Sequence, residues 1–252
     1  MLLVPGYTGT KEDFGPILDT IADAGLRAVS IDLPGQYQSP GPDDPGAYST
    51  LLLGEVVTAT ARALGAPVHL LGHSFGGLVC RAAVIAEPGL FRSLVLMDSG
   101  PAALGGERAA LIEQMEPFLD QLGVAGVYDA VQTLYASDPD YVHPPQELAD
   151  LLRARFVAGA PAMLAGMGTA LRSEPDRVEE LRSTGIPGLV LYGVDDDAWP
   201  PSVQDEMAGR LGVDVVRIPA AIHSPAVENP APTADALVKF WLGVDQRATL
   251  IR

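Results

Sequence analysis

The stretch PVHLLGHSFGGLVCRAA sets Ser74 between Gly72 and Gly76, in the spacing G-x-S-x-G, where an apolar run meets a helical pattern. That spacing suits a sharp strand-to-helix turn whose glycines let strand and helix approach while the serine stands exposed. The bare pentapeptide turns up by chance in roughly one chain in ten of this length, so its place between strand and helix carries the weight. A serine hydroxyl is a poor nucleophile until a base takes its proton. Of four histidines, His69 lies inside an apolar run and reads as a core residue. His73 is in the turn itself and cannot easily fold back onto Ser74. His143, beside Pro144, reads as a solvated loop residue or a pocket wall. His223, in IPAAIHSPAVENPAPTADALVKFW, follows the last apolar run and precedes the last helix, at the sheet edge where open α/β folds keep their sites.

An imidazole base needs a carboxylate to fix its tautomer and stabilise the imidazolium. Asp32, before Leu33, Pro34 and Gly35, reads as a turn former. Asp98 and the run Asp195, Asp196 and Asp197 in GVDDDAWP remain, and both locations keep the order serine, acid, histidine. Successive side chains of an extended segment diverge, so one of the three neighbours faces the histidine. The other two are solvated or meet N–H groups of the loop and of the helix start ahead of Ser202. An acyl-transfer site also needs oxyanion donors in place beforehand. The Phe75 N–H supplies one, and the loop in MLLVPGYTGT, where Gly6 permits close approach, supplies the Tyr7 N–H.

These residues require a scaffold of strands ending at a common edge. The apolar runs MLLV (1–4), RAVSI (27–31), PVHLL (67–71), SLVLM (93–97), GLVLY (188–192) and DVVRI (214–218) alternate with helical patterns over 14–24, 50–64, 78–86, 202–211 and 233–242. That rhythm predicts an α/β fold with a mostly parallel sheet of about six strands flanked by helices. The interval 101–185 breaks it, with helical periodicity and no strand. It reads as a helical cap inserted into a core formed by 1–100 and 186–252.

Composition narrows the function classes. The chain has 252 residues and a net charge of -16, a field that disfavours nucleic acid and anionic membrane surfaces as partners. Cys80 is the single cysteine, so an internal disulfide is excluded. With no basic leader segment and no apolar run of bilayer length, a soluble cytoplasmic protein is expected, as monomer or homodimer.

With these residues assembled, the chain resembles the α/β-hydrolase superfamily, in its lidded serine esterase and lipase-like branch. The likeness runs from Leu2 to about Leu242, through PGYTGT, IDLPGQYQS, GHSFGG, LYGVDDDAWP and HSPAVENP. The resemblance implies an acid three residues after the strand-ending glycine and four before a proline, and both counts give Asp196. It implies catalysis by Ser74, His223 and Asp196 with Tyr7 and Phe75 as oxyanion donors, no metal and no organic cofactor. The expected substrate is a small-molecule carboxylic ester, lactone or thioester with a hydrophobic acyl group. Carbon–carbon bond hydrolysis or acyl transfer by the same triad is the alternative, and a receptor that retains the pocket is a further one. In that family two more strands usually precede the oxyanion loop. Their lack leaves RAVSI as an edge to be covered, paired with another subunit or tolerated. Pro5, Tyr37 and Ile222 replace the family's usual histidine, small residue and glycine, which bears on pocket shape.

Overall fold

Leucine and valine runs punctuated by glycine, proline and aspartate become strands, of which the four inner ones, largely buried on both faces, have no need of polar alternation. In the computed structural model, which describes residues 1–139, 141 and 143–250, they are β1 (Leu2–Val4), β2 (Val29–Ser30), β3 (Val68–His73), β4 (Phe91–Met97), β5 (Gly188–Gly193) and β6 (Asp214–Ile218). They form one sheet in the order β2-β1-β3-β4-β5-β6, with every neighbouring pair parallel. Register aligns the strand ends that matter: Gly72 lies opposite Val4 and Leu96, and Met97 opposite Leu191. The six strands fall within or across the six predicted runs. RAVSI contributes only Val29 and Ser30, paired on one side with β1. A two-residue edge offers little template for a foreign strand.

The helices are α1 (Gly15–Asp23), α2 (Thr50–Ala63), α3 (Phe75–Ala86), α4 (Gly106–Met115), α5 (Leu119–Tyr135), α6 (Gln146–Val157), α7 (Pro161–Ser173), α8 (Val178–Ser183), α9 (Pro201–Leu211), α10 (Pro225–Glu228) and α11 (Pro230–Leu250). Over one sheet face Phe14, Ile17, Ile21, Leu237 and Trp241 pack on Leu3, Leu71, Val95 and Leu191. The other face, with Leu70, Leu94 and Val190, is covered by Val57, Leu78, Val79 and Met207. Each fully buried side chain of this size contributes about 1.5–3 kcal/mol, so the two layers hold the strand ends in place. Helix α3 starts three residues earlier than the apolar periodicity predicts and α11 extends beyond 242, because turn geometry and tertiary packing override local pattern.

Between β4 and β5 the chain runs through α4 to α8. The two ends of this excursion are tied together: Ala103 N–H donates to the Glu174 carbonyl at 2.8 Å, and Leu104 N–H to that of Leu171 at 2.8 Å. Arg81, buried on α3, donates to the Glu174 carboxylate at 2.8 Å and to the Pro101 and Pro175 carbonyls. Thr50 on α2 donates to the other Glu174 oxygen at 2.7 Å. Helix α8 then packs on α3 and α9, beside the sheet. Among the described residues no helix is long and apolar enough to cross a membrane.

Candidate active site

Strand β3 ends at His73 and α3 begins at Phe75, so the whole reversal falls on Ser74, with φ 55° and ψ -122°. A non-glycine residue in that region is strained, and the strain is held because a Cβ at Gly72 would sit 2.3 Å from the Gly76 carbonyl oxygen. Ser74 N–H is fixed on the Met97 carbonyl at 2.8 Å. His223, in the loop after β6, places Nε2 3.0 Å from Ser74 Oγ. Its Nδ1 lies 2.8 Å from Asp196 Oδ1. A carboxylate at Nδ1 keeps the proton there and leaves the Nε2 lone pair for the serine hydroxyl.

Asp196 is buried and well supplied with donors. Oδ1 also accepts from Ala198 N–H at 2.9 Å, and Oδ2 from Gln204 Nε2 at 2.7 Å. Asp195 and Asp197 are exposed. Asp195 N–H donates to the Ala221 carbonyl, and the Asp197 carboxylate takes both ends of the Arg108 guanidinium. Asp98, the alternative acid, is fully buried, but its Oδ1 accepts from Gly193 N–H at 2.9 Å and its Oδ2 has no partner. Burial first, and then the Asp196 carboxylate, push the Asp98 pKa well above the usual carboxylate range. Proximity of two carboxylates in a dry site favours the neutral form of one of them, and for Asp98 burial acts in the same direction. Asp98, Asp196 and His223 each bring one donor atom within 4.8 Å of the others, yet both His223 ring nitrogens are already engaged by Ser74 and Asp196.

The β1 loop packs closely against Ser74. A Cβ on Gly6 would lie 2.9 Å from Ser74 Cβ, so only glycine lets this loop touch the nucleophile. Buried Gln36 accepts from Leu33 N–H at 2.8 Å and donates to the Gly6 carbonyl at 2.7 Å. A trans peptide points its C=O and N–H in opposite directions, so anchoring the Gly6 carbonyl turns the Tyr7 N–H away from Gln36. Among the described residues, neither the Tyr7 nor the Phe75 N–H donates in the turn, loop and cap bonds. Asp32 serves this loop rather than its own turn, correcting the sequence expectation: it accepts from Lys11 N–H at 2.8 Å and Lys11 Nζ at 2.7 Å.

The remaining histidines are structural. His69 is buried between Ser93 Oγ at 2.8 Å and Asp245 Oδ1 at 3.1 Å. His143 is exposed, its ring edge-on to Tyr141. His73 is buried, and its Nε2–H donates to the His223 carbonyl at 2.6 Å, holding the base's own backbone. Burial, followed by the nearby His223, depresses the His73 pKa to about 4. His73, Gln36 and Gln204 thus position the site, and sequence reasoning assigned none of them that task. Their one sequence signal was residence inside or beside the quoted motifs.

A cavity of about 410 Å³ opens over Ser74 and His223 and is walled by Tyr7, Leu111, Met115, Leu119, Tyr128 and Phe156 among others. That volume falls in the range of small-molecule sites, roughly 300–1,000 Å³. A larger cleft of about 910 Å³ lies near Gly188, Asp214 and Lys239, away from this chemistry.

Comparison with known proteins shows the fold and the family. The chain is 27% identical over 249 residues to a pimeloyl-[acyl-carrier protein] methyl ester esterase of Edwardsiella ictaluri, covering 95% of this chain and 92% of that one. It is 27% identical over 233 residues to a proline iminopeptidase of Lacticaseibacillus rhamnosus, covering 82% and 79%. Among solved structures, a carboxylesterase of the thaumarchaeon Nitrososphaera gargenis superposes with a TM-score of 0.83 at 18% identity, over 98% of this chain and 90% of that one. A hydrolase from Pseudomonas aeruginosa superposes with a TM-score of 0.80 at 25% identity, over 95% and 89%. The sequence pattern of the alpha/beta hydrolase family matches residues 1–236, and with the parallel sheet, the turn at Ser74 and the loop at His223 in place, the chain belongs to that family.

Proposed function

We propose that the protein is a serine hydrolase that cleaves small carboxylic esters through an acyl-enzyme on Ser74. The observation that carries this is the unbroken line Ser74 Oγ, His223 Nε2, His223 Nδ1, Asp196 Oδ1, with contacts of 3.0 and 2.8 Å. Ser74 Oγ attacks the ester carbonyl while His223 Nε2 takes its proton, and the Tyr7 and Phe75 N–H groups receive the charge on the carbonyl oxygen. His223 returns the proton to the leaving alkoxide. A water, deprotonated by the same Nε2, then attacks the acyl-enzyme and releases the acid. Asp196 stays ionised throughout and stabilises the imidazolium. None of these steps calls for a metal or an organic cofactor.

Residues 101–175 supply most of the cavity wall and act as its cap, while the rest of the expected 101–185 insertion, with α8, packs on α3 and α9 beside the sheet. A wall built largely from Leu111, Met115, Leu119 and Val131 suits hydrophobic groups of small to medium size. The Edwardsiella relative's name places its ester on a carrier protein. Here 101–185 carries thirteen acidic and six basic residues, a field that repels an anionic carrier and favours a free ester. With Cys80 as the only cysteine, cytoplasmic residence suits the chain. Hydrolysis rates on p-nitrophenyl esters of graded acyl length test the proposal, which requires turnover that falls off as the acyl group outgrows the cavity. No turnover on any of them contradicts it.

A further inference from the structure

The cavity over Ser74 is apolar except at a few points, and its arginines differ in one respect. Arg108 spends Nε and Nη2 on both oxygens of Asp197. Arg155, on the inner side of α6, is only 7% exposed, yet among the described residues the Asp13 carboxylate is the one acceptor its guanidinium meets, through Nη2. Its Nε–H is buried with no partner. A guanidinium carries five N–H donors, and leaving such donors unmet in a buried place is unfavourable unless something else fills the demand.

Arg155 is also fixed where it stands. Asp13 Oδ2 accepts from Thr10 N–H at 2.9 Å, so the carboxylate that holds the guanidinium is itself anchored to the oxyanion loop. Arg155, Asp13, Ser74 and His223 all line the same cavity. Arg155 therefore stands in the wall of the chamber where an ester must lie, with its net charge offset by Asp13 and most of its N–H groups without an acceptor among the described residues. What it offers is hydrogen bonds to oxygen more than a bare positive field.

Resting on the ester-hydrolase reading, we propose that Arg155 is a substrate-recognition residue: its free N–H groups bind a second oxygen acceptor of the substrate, a carboxylate or an ester-type carbonyl, distinct from the carbonyl that Ser74 attacks. The natural substrate is then a bifunctional ester rather than a plain alkyl one. The ester chemistry comes from the scissile side, and the selectivity from the other end.

The test compares methyl hexanoate, dimethyl adipate and monomethyl adipate, which share a six-carbon acyl chain and differ in the distal group. In the wild-type protein the adipate esters are hydrolysed with the higher kcat/KM. In Arg155→Met combined with Asp13→Asn, which removes donor and counter-ion together, the ratio of adipate to hexanoate kcat/KM falls roughly 10- to 150-fold, the range for a hydrogen bond to a charged group. Preference for the diester identifies a carbonyl acceptor and preference for the monoester a carboxylate, and either supports the proposal. A common loss on all three esters means Arg155 merely clasps α6 to the core, and overturns it. So does a wild-type protein that does not prefer the adipates. Calorimetric binding of the two adipates to Ser74→Ala protein reads the subsite without turnover: affinity at least tenfold weaker in the double variant supports the proposal, and equal affinity overturns it. Because binding is read apart from hydrolysis, failure of the esterase reading and failure of this subsite give different results.

Discussion

The neighbourhood of Ser74 and the helices that roof it are built to different standards. The proposed nucleophile, base and acid come from three loops, each pinned by buried partners: Ser74 by Met97, His223 by His73, Asp196 by Ala198 and Gln204. In α4, α5 and α6, by contrast, only Val124, Val127 and Arg155 are buried, and Leu122, Leu134 and Leu148 face outward. Helix α5 even kinks at Gly123, φ 64° and ψ 176°. The difference teaches where the two halves of specificity reside. Reaction type is held by an over-determined frame, while choice of substrate is left to a thinly packed layer that can open at little free-energy cost.

The comparison is broken most sharply at the acid. Asp196→Asn should lower kcat by about 10⁴ through loss of the correct imidazole tautomer, while Asp98→Asn, an amide in place of a carboxyl whose neutral form is favoured, should change it by less than about tenfold. A large loss in the second variant alone would transfer the catalytic carboxylate to Asp98. Next, Arg81 joins the frame to the root of the helical layer. Arg81→Ala leaves Glu174 buried without its counter-charge and should destabilise the fold by roughly 3–5 kcal/mol, read as a fall in denaturation midpoint.

A pH dependence comes from His73. Its folded pKa of about 4 lies below the unfolded value near 6.5, so the unfolded chain takes up a proton first as pH falls. Stability is complete above about pH 6.5, declines towards pH 4 and gains no further loss from this group below that. The decline amounts to about 3 kcal/mol. Melting curves of wild type and His73→Asn across that window should diverge at neutral pH and converge at acid pH. Smaller still, Gln36→Leu releases the Gly6 carbonyl and should cost about 10- to 100-fold in kcat with KM little changed, since it misaligns one oxyanion donor without deleting it. At the far end, Arg153→Ala, which breaks an exposed pair with Asp129 on the roof, should leave turnover and melting temperature unchanged within error.

Much of the frame was legible because its parts are local. The turn at Ser74, the six apolar runs and the loop at His223 each follow from a few consecutive residues. Deciding between Asp196 and Asp98 was not local. It depends on which carboxylate finds Ala198, Gln204 and His223 around it, and a sequence gives only candidate positions. Gln36 acts on a loop 30 residues before it and His73 on a carbonyl 150 residues after it, so their roles lie in tertiary geometry. The same holds for Asp32, whose proline and glycine neighbours suggest a turn while its carboxylate goes to Lys11. Arg155 was invisible for a like reason: on a helix it looks solvated, until Asp13 from another element meets it.

The central claim, that Ser74 is a nucleophile activated by His223, is tested most directly with a fluorophosphonate probe on the intact protein. Covalent labelling of Ser74 is expected, at a rate that falls by orders of magnitude in His223→Ala and to nothing in Ser74→Ala. Labelling that persists in Ser74→Ala, or a wild-type protein that takes up no label at all, would contradict it.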